Sequence, residues 1–281
     1  MKAIDVHCHV PTEEGMRPFA PYLQATSKYY KMGERQQALD EDEFARMLVD
    51  LDVRALLVSV NAQSATGQPG TTNDHIAGVV GRHPEAFLGG FACIDPWAGK
   101  AAVAELERAI RQLGLRGVKF HPILQQFFVN DRRHYPIYEL ASALKVAVQF
   151  HTGVTGVGMG MKGSDIHLKY GHPLAIDDVA ADFPDLTILA CHPSWPWQDE
   201  MIMVLLHKPN VFNELSGWSP KYFTPALKAE ISGRLQDKFL FGSDYPALTH
   251  KRLFEDWEAE GYKPQVLEKI FYQNAKRALN L

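Results

Sequence analysis

Apolar and polar positions along the chain fall into two alternating patterns. Short, mostly apolar runs recur at Ala3–His9, Arg54–Val60, Phe87–Ile94, Gly117–His121, Val146–His151, Leu186–His192, Val211–Ser216 and Phe239–Asp244. Each has the length and continuity of a strand covered on both faces, as the strands of a parallel sheet are. Between them the apolar residues move to helical spacing. Phe44, Met47, Leu48 and Leu51 mark Glu43–Leu51, and Val103, Leu106, Ile110 and Leu113 mark Ala101–Leu113. Ile137–Leu144 and Leu174–Phe183 read the same way, and Gln265–Leu281 is expected as an extra C-terminal helix packed on the outside.

Eight strand–helix units in 281 residues, with no compositional break, predict a single (β/α)8 barrel domain over residues 1–281. A doubly wound open sheet would also alternate, but no G-x-G-x-x-G loop follows the first strand. Two strand-to-helix connections are long: Pro11–Asp40 after the first strand, and the Gly- and Met-rich Gly153–Gly171 after the fifth. In a barrel both lie at the C-terminal mouth, where long loops serve as active-site lids.

Composition narrows the class. With 29 basic and 33 acidic residues interspersed and a formal charge of −4, the chain carries no nucleic-acid footprint. Three cysteines, Cys8, Cys93 and Cys191, are too few for a disulfide framework and suit a reducing cytosol. The first residues, MKAIDVHCHV, enter a strand directly rather than a leader segment, and no run approaches the roughly 18 apolar residues of a membrane span. A cytoplasmic protein without nucleic-acid or membrane partners is therefore expected.

The chemistry gathers at strand ends. His7-Cys8-His9 closes the first strand, Lys119-Phe120-His121 the fourth, Phe150-His151-Thr152 the fifth, Cys191-His192-Pro193 the sixth and Gly242-Ser243-Asp244 the eighth. Strand side chains alternate faces, so His7 and His9 project together into the barrel and Cys8 outward. The same alternation, applied to His192, turns its neighbour Cys191 away. Three imidazoles and an aspartate, with a water, suit Zn²⁺ and also Mn²⁺, Fe²⁺ or Co²⁺. An H-x-H pair alone is a weak signal; joined by later strand-end histidines and a strand-end Asp it becomes a strong one. Aromatic residues crowd the loops after strands 6 to 8 (Trp195, Trp197, Trp218, Tyr222, Tyr245) and after strand 4 (Phe127, Phe128). They suit a planar substrate, although each alone suits loop packing equally well. Arg17, Lys162, Lys169 and Lys221 belong to the same loops, where solvated charge is the ordinary role. His75, His83, His134, His172 and His207 read as structural, while His167 and His250 fall near the mouth.

The segments IDVHCHVP, RGVKFHP, VAVQFHTG, LTILACHPSWPW, NELSGW and FLFGSDYP occur in this order over nearly the whole chain. In them the chain resembles the amidohydrolase superfamily, in the branch related to 2-amino-3-carboxymuconate-6-semialdehyde decarboxylase. The resemblance implies a barrel with one divalent metal, zinc being the first expectation, held by His7, His9, His151 and Asp244. It implies His192 as catalytic acid/base, with Asp244 assisting proton transfer as well as ligating. Some relatives carry Glu-x-His on the first strand, where this chain has His-x-His. Lys119 stands where binuclear members hold a carboxylated lysine. The branch resembled here lacks that bridge, so Lys119 is expected as a free amine that binds a substrate carboxylate. His121, Trp195, Trp218 and Tyr245 complete the expected substrate contacts.

The expected reaction is hydrolysis of a small aromatic-derived or carboxylated compound: a lactone, an ester, or a C–C bond next to an activated ketone. Non-oxidative decarboxylation by the same parts is the alternative. A non-catalytic metal-binding barrel fits poorly, because all five metal and acid/base residues are present. A serine hydrolase would need G-x-S-x-G, and Gly242-Ser243-Asp244 lacks the second glycine. A small-molecule substrate and a homodimer are the expected partners.

Overall fold

In the computed structural model, which describes residues 1–30 and 40–281, eight parallel strands neighbour one another in chain order. They are β1 (Ala3–His9), β2 (Val53–Val58), β3 (Phe87–Cys93), β4 (Gly117–Phe120), β5 (Ala147–His151), β6 (Ile188–Cys191), β7 (Val211–Glu214) and β8 (Phe239–Leu240). The last returns to the first. Val6 N–H donates to Phe241 O at 3.1 Å, Asp244 N–H to His7 O at 2.9 Å, and His9 N–H to Tyr245 O at 3.1 Å. The expected (β/α)8 barrel is formed, with helices between consecutive strands. No helix among the described residues is long and apolar enough to cross a membrane.

The outward faces of the strands carry the larger core. Val118, Phe120, Val148, Phe150, Ile188 and Ala190 pack beneath Leu106, Ile137, Tyr138, Ile176 and Val179 of the surrounding helices. Helix Glu41–Asp50 starts where Asp40 accepts from the N–H groups of Asp42 and Glu43, an N-cap that satisfies two otherwise orphaned donors.

Inside the barrel, Ile4, Val6, Phe91, Ala147 and Leu189 form a second apolar cluster, joined by Ala275 and Ala278. The C-terminal segment packs on the outside, as expected, through Val266, Ile270 and Phe271, which join the outer core, but its last turns do not. It runs through Pro264–Glu268, a π-helical turn at Lys269–Gln273 and Asn274–Leu279, and plugs the N-terminal end of the barrel. Alanines at 275 and 278 let that helix approach closely, and Asn274 Nδ2 ties it to the carbonyls of Gln236 and Phe239.

β1 contains the irregularity that divides the interior. Asp5 pairs with Ala55 and Cys8 with Leu57, so Val6 and His7 together face Leu56. This bulge lets two consecutive residues point inward, an apolar one below and an imidazole above. Bulges beside active sites commonly re-aim side chains in this way. Val6 O accepts from Gln149 Nε2 at 3.2 Å across the barrel.

Above the mouth, the described part of the first long loop folds as Glu13–Met16, the 3-10 turn Arg17–Tyr22 and helix Leu23–Tyr30. Phe19 packs with Val60, Ala62 and Leu124, and Met16, Leu23 and Val157 lean on the same small cluster. Thr26 Oγ1 donates to Gly156 O at 2.9 Å, which joins this loop to the one after β5. Both long loops thus cover the mouth; positions 31–39 of the first lie outside the described residues.

Candidate active site

Seven strand-end residues line one pocket beneath these loops: His7, His9, Lys119, His121, His151, His192 and Asp244. One donor atom from each of His7, His9 and Asp244 falls within 4.8 Å of the other two. His9 Nε2 is 3.0 Å from Asp244 Oδ1, and His7 Nε2 is 3.3 Å from the same oxygen. His151 stands beside this trio rather than inside it, with its Nδ1 2.9 Å from His192 Nε2. The His7 and His192 rings, 5.1 Å apart, join the two halves of the site.

Strand alternation places only part of this set. It brings His7 and His9 inward and Cys8 outward, as expected, and carries Lys119 and His151 to the same interior. His121, the residue after β4, caps the short helix Pro122–Gln125 by accepting from Leu124 N–H at 3.2 Å and lies face to face with His151, centroids 4.0 Å apart. The expectation for Cys191 is overturned. Cys191 pairs in register with His151 and points inward, 2.7 Å from Lys119 Nζ. β6 ends there, and His192 reaches the pocket through a left-handed backbone (φ 67°), so both neighbours face the interior. Asp244 likewise turns inward at φ 59°. Gly217 permits this approach: a Cβ there would lie 2.9 Å from Asp244 Oδ2 and 3.0 Å from His192 Nδ1.

Asp5 braces the turn from behind. Its carboxylate accepts from the N–H groups of His7 and Ser243, from Ser243 Oγ at 2.5 Å and from His250 Nε2 at 2.7 Å. His250 is consequently a buried brace outside the barrel and not a mouth residue.

Two functional groups on β7 and its end were missed by the sequence reading: Glu214 and Ser216. Glu214 is fully buried, with Oε1 2.6 Å from His7 Nδ1 and Oε2 accepting from Ser216 N–H at 2.9 Å. A Cβ at Gly242 would sit 2.7 Å from Oε2, so the glycine of the strand-8 motif makes room for this carboxylate. Ser216 O lies 3.0 Å from His192 Nδ1, and Ser216 Oγ is within 3.2 Å of both His7 Nδ1 and His192 Nδ1. The alternation Glu214-Leu215-Ser216 in NELSGW was the available signal.

These partners assign the tautomers. His7 donates its Nδ1–H to Glu214 and turns Nε2 to the pocket; His192 donates its Nδ1–H to Ser216 O and does the same. His151 then gives its Nδ1–H to His192 and keeps Nε2 free. Burial, then the Lys119 charge, pushes His7 down to about 4. Burial also holds His121 and His151 well below the usual imidazole range. All three are neutral at physiological pH. Burial alone would raise both carboxylates, but His7 holds Glu214 well below the ordinary range, and the hydrogen bond from His9 does the same for Asp244.

Neutral imidazoles and an ionised carboxylate are the states a divalent cation requires of its ligands. His151 Nε2 is buried with no hydrogen-bond partner, an uncommon and costly condition that a bound cation would relieve. The residues present fit a metal.

Of the expected substrate contacts, Lys119, His121 and Trp218 line the pocket. Trp195 does not: it is 46% exposed and leans on Trp218 at 6.1 Å. Tyr245 is also misplaced by the sequence reading. Following the inward turn at Asp244, it points out of the barrel and stacks on Phe44 at 4.6 Å. Trp197 packs against His172, Phe127 is core, and Phe128, Tyr222 and His167 lie on the surface.

Comparison with known proteins places these features in context. The family profile described as Amidohydrolase matches residues 4–281. The 2-keto-4-carboxy-3-hexenedioate hydratase of Sphingobium sp. is 30% identical over 139 residues, 43% of this chain and 38% of that protein. The gamma-resorcylate decarboxylase of Polaromonas sp. is 24% identical over 156 residues, 51% of this chain and 48% of that protein. These matches span less than half the length of either curated relative. A solved dihydroxybenzoic acid decarboxylase from Polaromonas sp., with bound manganese and the inhibitor 2-nitroresorcinol, superposes with a TM-score of 0.73 at 18% identity over 99% of this chain and 97% of that one.

Proposed function

The chain belongs to the amidohydrolase family, and on that premise we propose that it is a metal-dependent, non-oxidative decarboxylase of a small carboxylated, aromatic-derived compound. One divalent ion is held by His7, His9, His151 and Asp244. Manganese, carried by the structural neighbour, and zinc, suited to the donor set, are the two candidates. The observation that carries the reaction is the contrast within one pocket: a floor of imidazoles and a carboxylate lies under walls of Met16, Phe19, Leu23, Val157, Trp218 and Leu248. A carboxylate becomes neutral when it departs as carbon dioxide. Apolar, lidded walls favour that loss of charge and keep water from competing.

When bound, the metal supplies Lewis-acid polarisation of a substrate oxygen. The remaining work falls to the protein. The C–C bond breaks, its electron pair stays with the ring or chain carbon, and one proton must reach that carbon. His192, its Nδ1–H held by the Ser216 carbonyl and its Nε2 meeting His151 at the pocket floor, is the proton carrier, and Asp244 lines the same pocket. Three buried free cysteines suit a reducing cytosol as the compartment.

Decarboxylation thus replaces hydrolysis as the leading reaction, since the Polaromonas relative is a decarboxylase and neither curated relative is a hydrolase. Hydration of an unsaturated acid is the second reading, favoured by the Sphingobium relative. Turnover of gamma-resorcylate and of 2-keto-4-carboxy-3-hexenedioate in ¹⁸O-water separates them. The proposal expects carbon dioxide in step with product and no ¹⁸O in that product. Product carrying ¹⁸O without carbon dioxide would replace decarboxylation with water addition.

A further inference from the structure

The proposed proton transfer gives Lys119 no part, yet this lysine is 3% exposed and lines the pocket. What lies behind it accounts for the charge. Lys119 Nζ donates to Cys191 Sγ at 2.7 Å. Cys191 is the register partner of Glu214 on β7, and its thiol donates to that carboxylate. Burial pushes the thiol well up, so it stays protonated. It therefore accepts from the ammonium on one side and gives its S–H to Glu214 on the other. Glu214 is fully buried, and its Oε1 is held by His7 Nδ1 at 2.6 Å. Lys119, Cys191, Glu214 and His7 thus form one buried line from β4 to β1, with a cation at one end and a metal-facing imidazole at the other.

A carboxylate behind a ligating histidine raises the basicity of that imidazole and tightens its hold on the metal. A cation on the far side of the same carboxylate works the other way, because the negative charge it draws is withheld from the ring. We propose that Lys119 is the counter-ion of Glu214 and acts through it on His7, limiting the electron density that the imidazole passes to the metal and so keeping the ion a stronger Lewis acid. Lys119 is then a positioning residue, and its charge is spent inside the protein rather than on the substrate carboxylate expected from the sequence. This rests on the proposed metal at His7 and not on decarboxylation.

Zinc-loaded protein, which is diamagnetic, gives two readouts without turnover. One is zinc affinity, by competition with a chromophoric chelator. The other is the proton NMR position of the His7 Nδ1–H, identified by its displacement in Glu214→Gln. Lys119→Met should raise zinc affinity roughly tenfold and move that proton further downfield, as Glu214 turns its charge onto His7. Lys119→Gln, which keeps an N–H donor to the thiol but not the charge, should do the same. In the Glu214→Gln background the gain from Lys119→Met should shrink to within about twofold, since the carboxylate that carries it is gone. Cys191→Ser keeps the line with a stronger O–H donor and should move the His7 proton upfield, a test that stands even where the lysine variants do not fold. Zinc affinity unchanged or lowered in Lys119→Met, a gain that persists in full with Glu214→Gln, or a His7 proton unmoved in the Lys119 or Cys191 variants would each overturn the proposal. A wild type that takes up no zinc would instead sink the metal reading, and the His7 proton of the metal-free chain would still decide whether Lys119 acts on Glu214.

Discussion

The two ends of the barrel use inward-pointing positions of the same strands for opposite purposes. Toward the N-terminal end, Ile4, Val6, Phe91, Ala147 and Leu189 pack into a dry cluster closed by Ala275 and Ala278. A few positions further along β1, β5 and β6 stand His7, His9, His151 and Cys191, with Lys119 of β4 beside Cys191. On β1 the change from one regime to the other takes a single step, between Val6 and His7, at the bulge. The lower end buries apolar area and holds the fold together. The upper end buries charge and imidazole, which add little stability and supply the chemistry, the division common to barrels of this architecture. Substitutions at the two ends should therefore separate stability from turnover.

The largest separation is expected at the mouth. His192→Asn should lower turnover by about a thousandfold, the scale of a lost proton carrier, while the unfolding free energy moves by about 1 kcal/mol or less. Steady-state rates beside denaturant titrations of the same protein read both quantities. The mirror case is Ile4→Ala at the sealed end. It should cost roughly 2–5 kcal/mol of stability and leave the rate per folded, metal-loaded molecule unchanged. An Ile4→Ala protein that is stable but slow would show that the two ends are coupled.

A smaller effect sharpens the comparison within the mouth itself. Glu214→Gln keeps an acceptor near His7 Nδ1 but removes the charge that orients and enriches the imidazole. Metal affinity, read by competition with a chromophoric chelator, should fall about 10- to 100-fold, as it does when the outer partner of a ligating histidine is altered. Unchanged affinity would make Glu214 a packing residue rather than part of the metal's support.

Much of this was written in the sequence, but unevenly. The eight apolar runs and their alternation with helical segments gave the barrel, because period and length survive any detail of packing. His7 and His9 were placed correctly by alternation within β1. Where the backbone leaves the pleat, alternation fails. The left-handed turn at His192 carries it inward beside Cys191, and the one at Asp244 sends Tyr245 outward onto Phe44. Glu214 escaped notice because an acidic residue in an apolar run gives no hint that its partner lies 207 positions earlier in the chain. The last segment was expected on the outside, which holds for Val266, Ile270 and Phe271; the small faces of Ala275 and Ala278 instead let its final turns close the barrel floor. Trp195 and Trp218 are equivalent in composition, and only loop geometry separates the one that lines the pocket from the one that does not.

The central claim is that His7, His9, His151 and Asp244 share one divalent ion at the upper end. Anomalous diffraction at the manganese edge from crystals of the manganese-loaded protein tests it most directly. The account predicts one peak per chain, in contact with three imidazole nitrogens and the Asp244 carboxylate and lost in His151→Ala. A peak away from these four groups, or a pair of peaks bridged by Lys119, would contradict it.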